Sequence, residues 1–141
     1  MKLQMIGGGK MGEALLGGLV ERGWADPTEL HVVEPSADRR AELSTGNAGL
    51  SLGDAPIDGV DAVIAVKPDI VAAVLPSLSA AAPSRVLSIA AGVRADTIES
   101  GLPPSTAVVR CMPNTPSLVG RGAAAIAAGS AAGDDDLAWA E

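Results

Sequence analysis

One stretch constrains this chain more than any other. An apolar run, Lys2-Leu3-Gln4-Met5-Ile6, leads without a break into Gly7-Gly8-Gly9-Lys10-Met11-Gly12, and Glu13 to Val20 follows with apolar residues at 11, 15, 16, 19 and 20. The first run reads as a buried strand and the last spacing as one face of an amphipathic helix. Between them glycine stands at the first, third and sixth positions of a G-x-G-x-x-G turn, the pattern that binds a dinucleotide. Gly7 permits a turn too tight for a side chain, and Gly9, with no Cβ, lets the backbone approach a diphosphate closely. Gly12 lets the helix lie against the sheet. The helix start then presents unpaired N–H groups and the positive end of its dipole to the phosphate charge. Gly17 and Gly18, inside the helix, cost roughly 1 kcal/mol each relative to alanine; they are tolerable if that helix packs closely on the sheet, or else reflect simple compositional drift.

The remaining segments alternate in the manner of a doubly wound α/β fold, Rossmann-like, with a mostly parallel sheet and helices on both faces. Gly23 marks the end of the first helix, Asp26-Pro27-Thr28 a turn, and Leu30-His31-Val32-Val33-Glu34 the second strand. A short third strand is expected within 46–51, and 53–59 as a polar turn or short helix. Asp61 to Val66 is an apolar run of the kind found in central parallel strands. It is followed by a helix from Ile70 to Leu75 that Pro76 should interrupt. Arg85 to Ala90 and Thr106 to Met112 are further strands, with a short helix from Arg94 to Ser100 between them. Gly122 to Ala128 is a last edge strand. Asp134-Asp135-Asp136 opens a final helix, its carboxylates favourably placed on the dipole. A dinucleotide-binding domain over 1–130 is therefore expected, with 131–141 beginning a connecting helix.

Composition narrows the function. With 141 residues, 48% of them hydrophobic, no Phe or Tyr and two tryptophans, the core is built from small side chains that suit close helix-on-sheet packing. A net charge of −7 argues against nucleic-acid or membrane-surface binding. No apolar run reaches the ~18 residues of a membrane span, and no export signal precedes the first strand. The lone cysteine, Cys111, cannot form an internal disulfide, which points to the cytoplasm, and reads as a buried strand residue. His31 is the only histidine and reads as a structural or surface residue, so no metal site is expected.

Several residues are candidates for cofactor contact. Glu34 ends the second strand 22 residues beyond Gly12, where an acidic side chain can accept from the adenosine ribose 2′-OH of NAD. Ser36, Arg39 and Arg40 follow at a helix start and suit a 2′-phosphate, as in NADP. Ser36 serves equally as an N-cap, with the arginines on a solvated face. Ligands of open α/β sheets bind beyond the carboxyl ends of strands, which places Val66-Lys67-Pro68 beside the cofactor. Lys67 there is either a partner of phosphate or substrate or a bland helix-start residue.

Four stretches together, Ile6 to Leu15, Val66-Lys67-Pro68, Ser88-Ile89-Ala90-Ala91-Gly92-Val93 and Arg110-Cys111-Met112-Pro113-Asn114-Thr115-Pro116, make the chain resemble the pyrroline-5-carboxylate reductases in order and spacing. The resemblance implies a hydride transfer from NAD(P)H to the C=N carbon of 1-pyrroline-5-carboxylate, giving L-proline, with NADP(H) favoured over NAD(H). It also implies that Gly7, Gly9, Lys10 and Met11 line the pyrophosphate and that Ser36 and Arg39 contact the adenosine ribose or its phosphate. Val66, Lys67, Pro68, Ala91 and Gly92 would border the nicotinamide, and Met112, Pro113, Asn114 and Thr115 the substrate. Glu34 departs from the neutral residue common there. The family's second, helical domain, which dimerises and carries a Gly-Ser-Gly segment for the substrate carboxylate, has no counterpart here. The chain is thus expected to be part of a homo-oligomeric protein, and by itself to bind cofactor with weak or no turnover. No acid–base pair or catalytic triad is expected, since positioning of the two reactants supplies much of the catalysis. A β-hydroxyacid-dehydrogenase-like enzyme would share the opening motif but carry a Pro-Val-Ser-Gly-Gly-type segment, which is absent. A non-catalytic NAD(P)-binding module is the other alternative.

Overall fold

The computed structural model describes residues 1–113 and 123–141. Among these, seven strands form one sheet in the order β3-β2-β1-β4-β5-β6-β7. They are β1 (Leu3–Ile6), β2 (Leu30–Val33), β3 (Ser51–Gly53), β4 (Ala62–Ile64), β5 (Arg85–Ser88), β6 (Ala107–Pro113) and β7 (Ala124–Ala128). Strands β1 to β6 run parallel and β7 closes the edge antiparallel to β6. The helices are α1 (Lys10–Glu21), α2 (Ala37–Gly46), α3 (Val71–Ala80), α4 (Ala95–Glu99) and α5 (Asp134–Ala140). The chain winds outward through β2 and β3, then returns to add β4 on the other side of β1. The carboxyl ends of β1 and β4 therefore flank the point at which the winding reverses, where open α/β sheets bind ligands.

Alternation along the buried strands gives two cores. Ile6, Ile64, Val86 and Val108 face Val71, Leu75, Leu78 and Ile98 of α3 and α4. On the other face Leu3, Met5, Val32 and Val63 pack with Leu16 and Leu43 of α1 and α2, and the two tryptophans add partly buried area. Gln4 is fully buried in β1. Its amide donates to the carbonyls of Ile57 and Val60, and its oxygen accepts from the Ile57 N–H, so every strong polar group there is paired. His31 is buried as expected for a structural residue, its ring between the Ser51 hydroxyl at 2.9 Å and the Ala55 carbonyl at 3.2 Å.

Gly23 ends α1 as the sequence indicates. At φ +68° it closes a C-terminal turn in which its own N–H donates to Val20 and that of Trp24 to Leu19. Two expectations change. The third strand is Ser51–Gly53, because α2 continues to Gly46 and the segment up to Leu50 is a turn. Pro76 does not interrupt α3, which runs on to Ala80. Its ring lies on the exposed side while Leu75 and Leu78 are buried on the other. Packing of both halves outweighs the single lost hydrogen bond. Of the two readings of Gly17 and Gly18, close packing on the sheet is not the one adopted, since a Cβ at either meets nothing within 4 Å. They line instead a groove of 810 Å³ with Leu3, Met5, Cys111 and Trp139.

At the amino-terminal edge of the sheet α5 is held by charge. Arg85 Nε donates to Asp136 at 2.9 Å, and the Arg85 backbone N–H to Asp61 at 2.9 Å. The Gly133 N–H, donating at 2.9 Å, holds the Asp136 carboxyl below its ordinary range, with Arg85 adding to the effect.

Candidate functional site

The six-residue turn after β1 is built as its glycines suggest. Gly7 has φ +106°, and a Cβ on it would lie 2.8 Å from Val66 Cγ1 and 2.9 Å from the Ala65 carbonyl oxygen. The turn and the segment after β4 are thus in contact at the reversal point. A Cβ on Gly12 would stand 2.5 Å from the Gly7 carbonyl oxygen and 3.3 Å from Met5, which fixes the close approach of α1 to β1. Gly9 differs. It is exposed, and a Cβ there meets nothing within 4 Å. Gly9 is also the N-cap of α1, with no side chain to cap the first-turn amides. The space in front of Gly9, at the positive end of the helix dipole, is open, the environment a diphosphate needs. The residues present fit a dinucleotide.

Around this cradle the structure gathers most of the sequence candidates. Lys10 begins α1 and is exposed, with Met11 half-buried behind it. Val66 is half-buried against Gly7, while Lys67 and Pro68 start the exposed 3₁₀ turn Pro68–Ile70. Lys67 is its N-cap, and its side chain makes no capping bond. Ala91 and Gly92 follow β5 and are exposed, Gly92 with φ +73° turning the chain away from the sheet edge. Met112 is 42% exposed at the end of β6, beside half-buried Pro113. Asn114 and Thr115 lie outside the described residues, as does Gly122.

The β2–α2 junction is organised differently from a solvated face. Ser36 is the N-cap of α2, its Oγ accepting from the Arg39 N–H at 3.3 Å. Arg39 and Arg40, however, reach back. Arg39 Nε donates to the Gly8 carbonyl at 2.7 Å, and its two terminal nitrogens to Glu13 at 2.6 Å and Glu42 at 2.9 Å. Glu42 first, then Glu13, raises the guanidinium pKa further. Arg40 donates to the carbonyls of Glu34 at 2.6 Å and Pro35 at 3.0 Å. The Glu34 carboxylate accepts from the backbone N–H of Gly8 at 3.1 Å and of Ser36 at 3.0 Å. The Ser36 cap was expected from the sequence; the long-range bonds were not legible in advance, because groups such as Glu13 and Arg39 stand 26 positions apart with no periodic relation.

Two further groups bear on the chemistry. Cys111 is half-buried, and burial pushes its thiol pKa up, which disfavours a reactive thiolate. Arg110, next to it in the middle of β6 and paired with Ser88 at the end of β5, has a buried Nε without a hydrogen-bond partner, a donor that sequence reading passed over. Among the described residues no group of His, Cys, Asp and Glu is arranged to hold a metal ion, and no helix is long and apolar enough to cross a membrane.

The family model described as NADP oxidoreductase, coenzyme F420-dependent, matches residues 2–92. The pyrroline-5-carboxylate reductase of Synechocystis is 40% identical over 145 residues, covering all of this chain and 54% of that protein. Among solved structures, a pyrroline-5-carboxylate reductase from Coxiella burnetii superposes with a TM-score of 0.86 at 30% identity, over 99% of this chain and 54% of that one. The Plasmodium falciparum pyrroline carboxylate reductase with NADP bound gives 0.80 at 27% identity, over 99% and 52%. The chain spans about half the length of the curated relatives it matches.

Proposed function

The chain belongs to the family of NADP oxidoreductases described as coenzyme F420-dependent, and we propose that it is the nucleotide-binding half of a pyrroline-5-carboxylate reductase. The observation that carries this reading is the open backbone at Gly9, set before an uncapped helix start at the reversal point of a sheet. The similarity to pyrroline-5-carboxylate reductases along the whole chain supports it. When bound, the nicotinamide cofactor supplies the hydride that reduces the C=N carbon of 1-pyrroline-5-carboxylate to L-proline.

The protein's part is to bind and orient. Gly9, Lys10 and Met11 hold the diphosphate through amide N–H groups, the helix dipole and the Lys10 ammonium, and Gly7, whose own N–H is taken by the Val33 carbonyl, lines it by turning the chain. Ser36 and Arg39 take the adenosine end. Arg39 has five N–H donors and spends three on Gly8, Glu13 and Glu42. Two remain for a 2′-phosphate, the feature that favours NADP(H) over NAD(H). Val66, Lys67 and Pro68 on one side and Ala91 and Gly92 on the other flank the nicotinamide, with Met112, Pro113, Asn114 and Thr115 toward the substrate. No residue here is assigned a proton-transfer role, since holding an electrophilic imine against the hydride donor provides much of the rate. The protein of which this is half acts as a homo-oligomer in the cytoplasm.

A second reading is a nucleotide-binding module that reduces nothing alone. Its support is that Ala91, Gly92 and Met112 are all exposed, so among the described residues nothing covers the reacting carbon. The test is titration of this chain with NADPH and NADH, then nicotinamide absorbance with and without 1-pyrroline-5-carboxylate. Binding with little or no turnover is expected. Absence of binding refutes the site, and rapid turnover refutes the need for a second half.

A further inference from the structure

We propose that Glu34 is a positioning residue that holds Gly8 and so sets the shape of the diphosphate loop, and that it does not read the adenosine ribose. The proposal rests on the assignment of Gly7–Gly12 as that loop. An acid at the end of β2 is normally read as a ribose acceptor, but here the carboxylate is turned to the backbone. One oxygen accepts from the Gly8 N–H at 3.1 Å and the other from the Ser36 N–H at 3.0 Å. The Gly8 carbonyl is taken at the same time by Arg39 Nε at 2.7 Å. Both backbone polar groups of Gly8 are therefore held by the β2–α2 junction.

Packing adds to the hold. Gly8 is buried, and a Cβ there would meet Leu43 Cδ1 at 2.7 Å and a Glu34 oxygen at 3.2 Å. Three consecutive glycines are the most mobile backbone a loop can have, and ordering them upon binding costs affinity. Fixing the middle one in advance orients the amides that follow, from Gly9 into the first turn of α1. Arg40 steadies the holder by donating to the Glu34 and Pro35 carbonyls. The acidic side chain thus acts on both cofactors alike, through the diphosphate they share.

The test compares Glu34→Ala and Glu34→Gln with the unaltered chain, well below the melting temperature, by titration with NADP⁺ and NAD⁺. Glu34→Ala should weaken both by roughly tenfold, as loss of a charge-assisted hydrogen bond predicts, and leave their ratio within about twofold. Glu34→Gln keeps one acceptor oxygen and should fall between. Exchange of the Gly8 amide proton, followed by NMR in D₂O, should accelerate in Glu34→Ala while the Met5 and Ile6 amides in β1 stay protected. Loss of NAD⁺ alone, or a gain for NADP⁺, would show that the carboxylate reads the ribose and overturn the proposal. Unchanged affinities for both would overturn it too. If the alanine variant does not fold, the glutamine variant is judged by the same ratio and the same amide. If the unaltered chain binds neither cofactor, the loop assignment fails, and Gly8 exchange without ligand still decides whether Glu34 holds it.

Discussion

Replacing Gly9 by valine tests the cradle most directly, because the structure separates its effect on binding from its effect on folding. Gly9 has φ −70° and ψ 178°, an extended conformation open to any residue. A Cβ there meets nothing within 4 Å. The fold should therefore survive: the narrower unfolded ensemble is worth about 0.4–1 kcal/mol at a compatible glycine, offset by the poorer N-cap that valine makes at the start of α1. A diphosphate seated on the amides after Gly9 would instead collide with the branched side chain. Losing two amide–phosphate hydrogen bonds at about 1.5–3 kcal/mol each weakens NADPH more than a hundredfold. Gly12→Ala is the opposite control. Its Cβ would stand 2.5 Å from the Gly7 carbonyl oxygen, and relieving that overlap costs about 1–3 kcal/mol, a fall in melting temperature of roughly 3–10 °C. Calorimetric melting and titration of both variants check the pair. A Gly9→Val chain that binds NADPH as before, or melts several degrees lower, would refute the reasoning.

Arg39→Ala should weaken NADPH about tenfold more than NADH, measured by parallel titration; equal weakening would confine Arg39 to its bonds with Gly8, Glu13 and Glu42. Asp136 has a lowered carboxyl pKa in the fold, so its contribution is complete above the ordinary value of about 3.9 and is lost as pH falls below it. Asp136→Asn should accordingly flatten the decline of melting temperature between about pH 5 and pH 3, and an unchanged slope would show that the Gly133 and Arg85 contacts contribute nothing. Pro76→Ala should restore a backbone hydrogen bond in α3 and raise stability by about 1 kcal/mol or more, read by urea denaturation.

The order of elements, the parallel sheet and the tight glycine turn after β1 were legible in the sequence because each rests on local chemistry. Apolar runs such as Asp61 to Val66, the glycine spacing from Gly7 to Gly12 and the stop at Gly23 state a backbone requirement within a few residues of themselves. What the tertiary structure alone decided is which distant groups meet. Pro76 was read as a break, yet burial of Leu75 and Leu78 carries α3 through it. Gly17 and Gly18 leave open in the sequence whether their helix is pressed on the sheet, and in the fold they border a groove. Glu34 and Arg39 carry the right chemistry for cofactor contact in the linear chain, but which of their atoms are already committed to Gly8, Ser36, Glu13 and Glu42 depends on how β1 and β2 lie side by side. A hydrogen bond is settled by distance and angle in space, and no spacing along the chain encodes either.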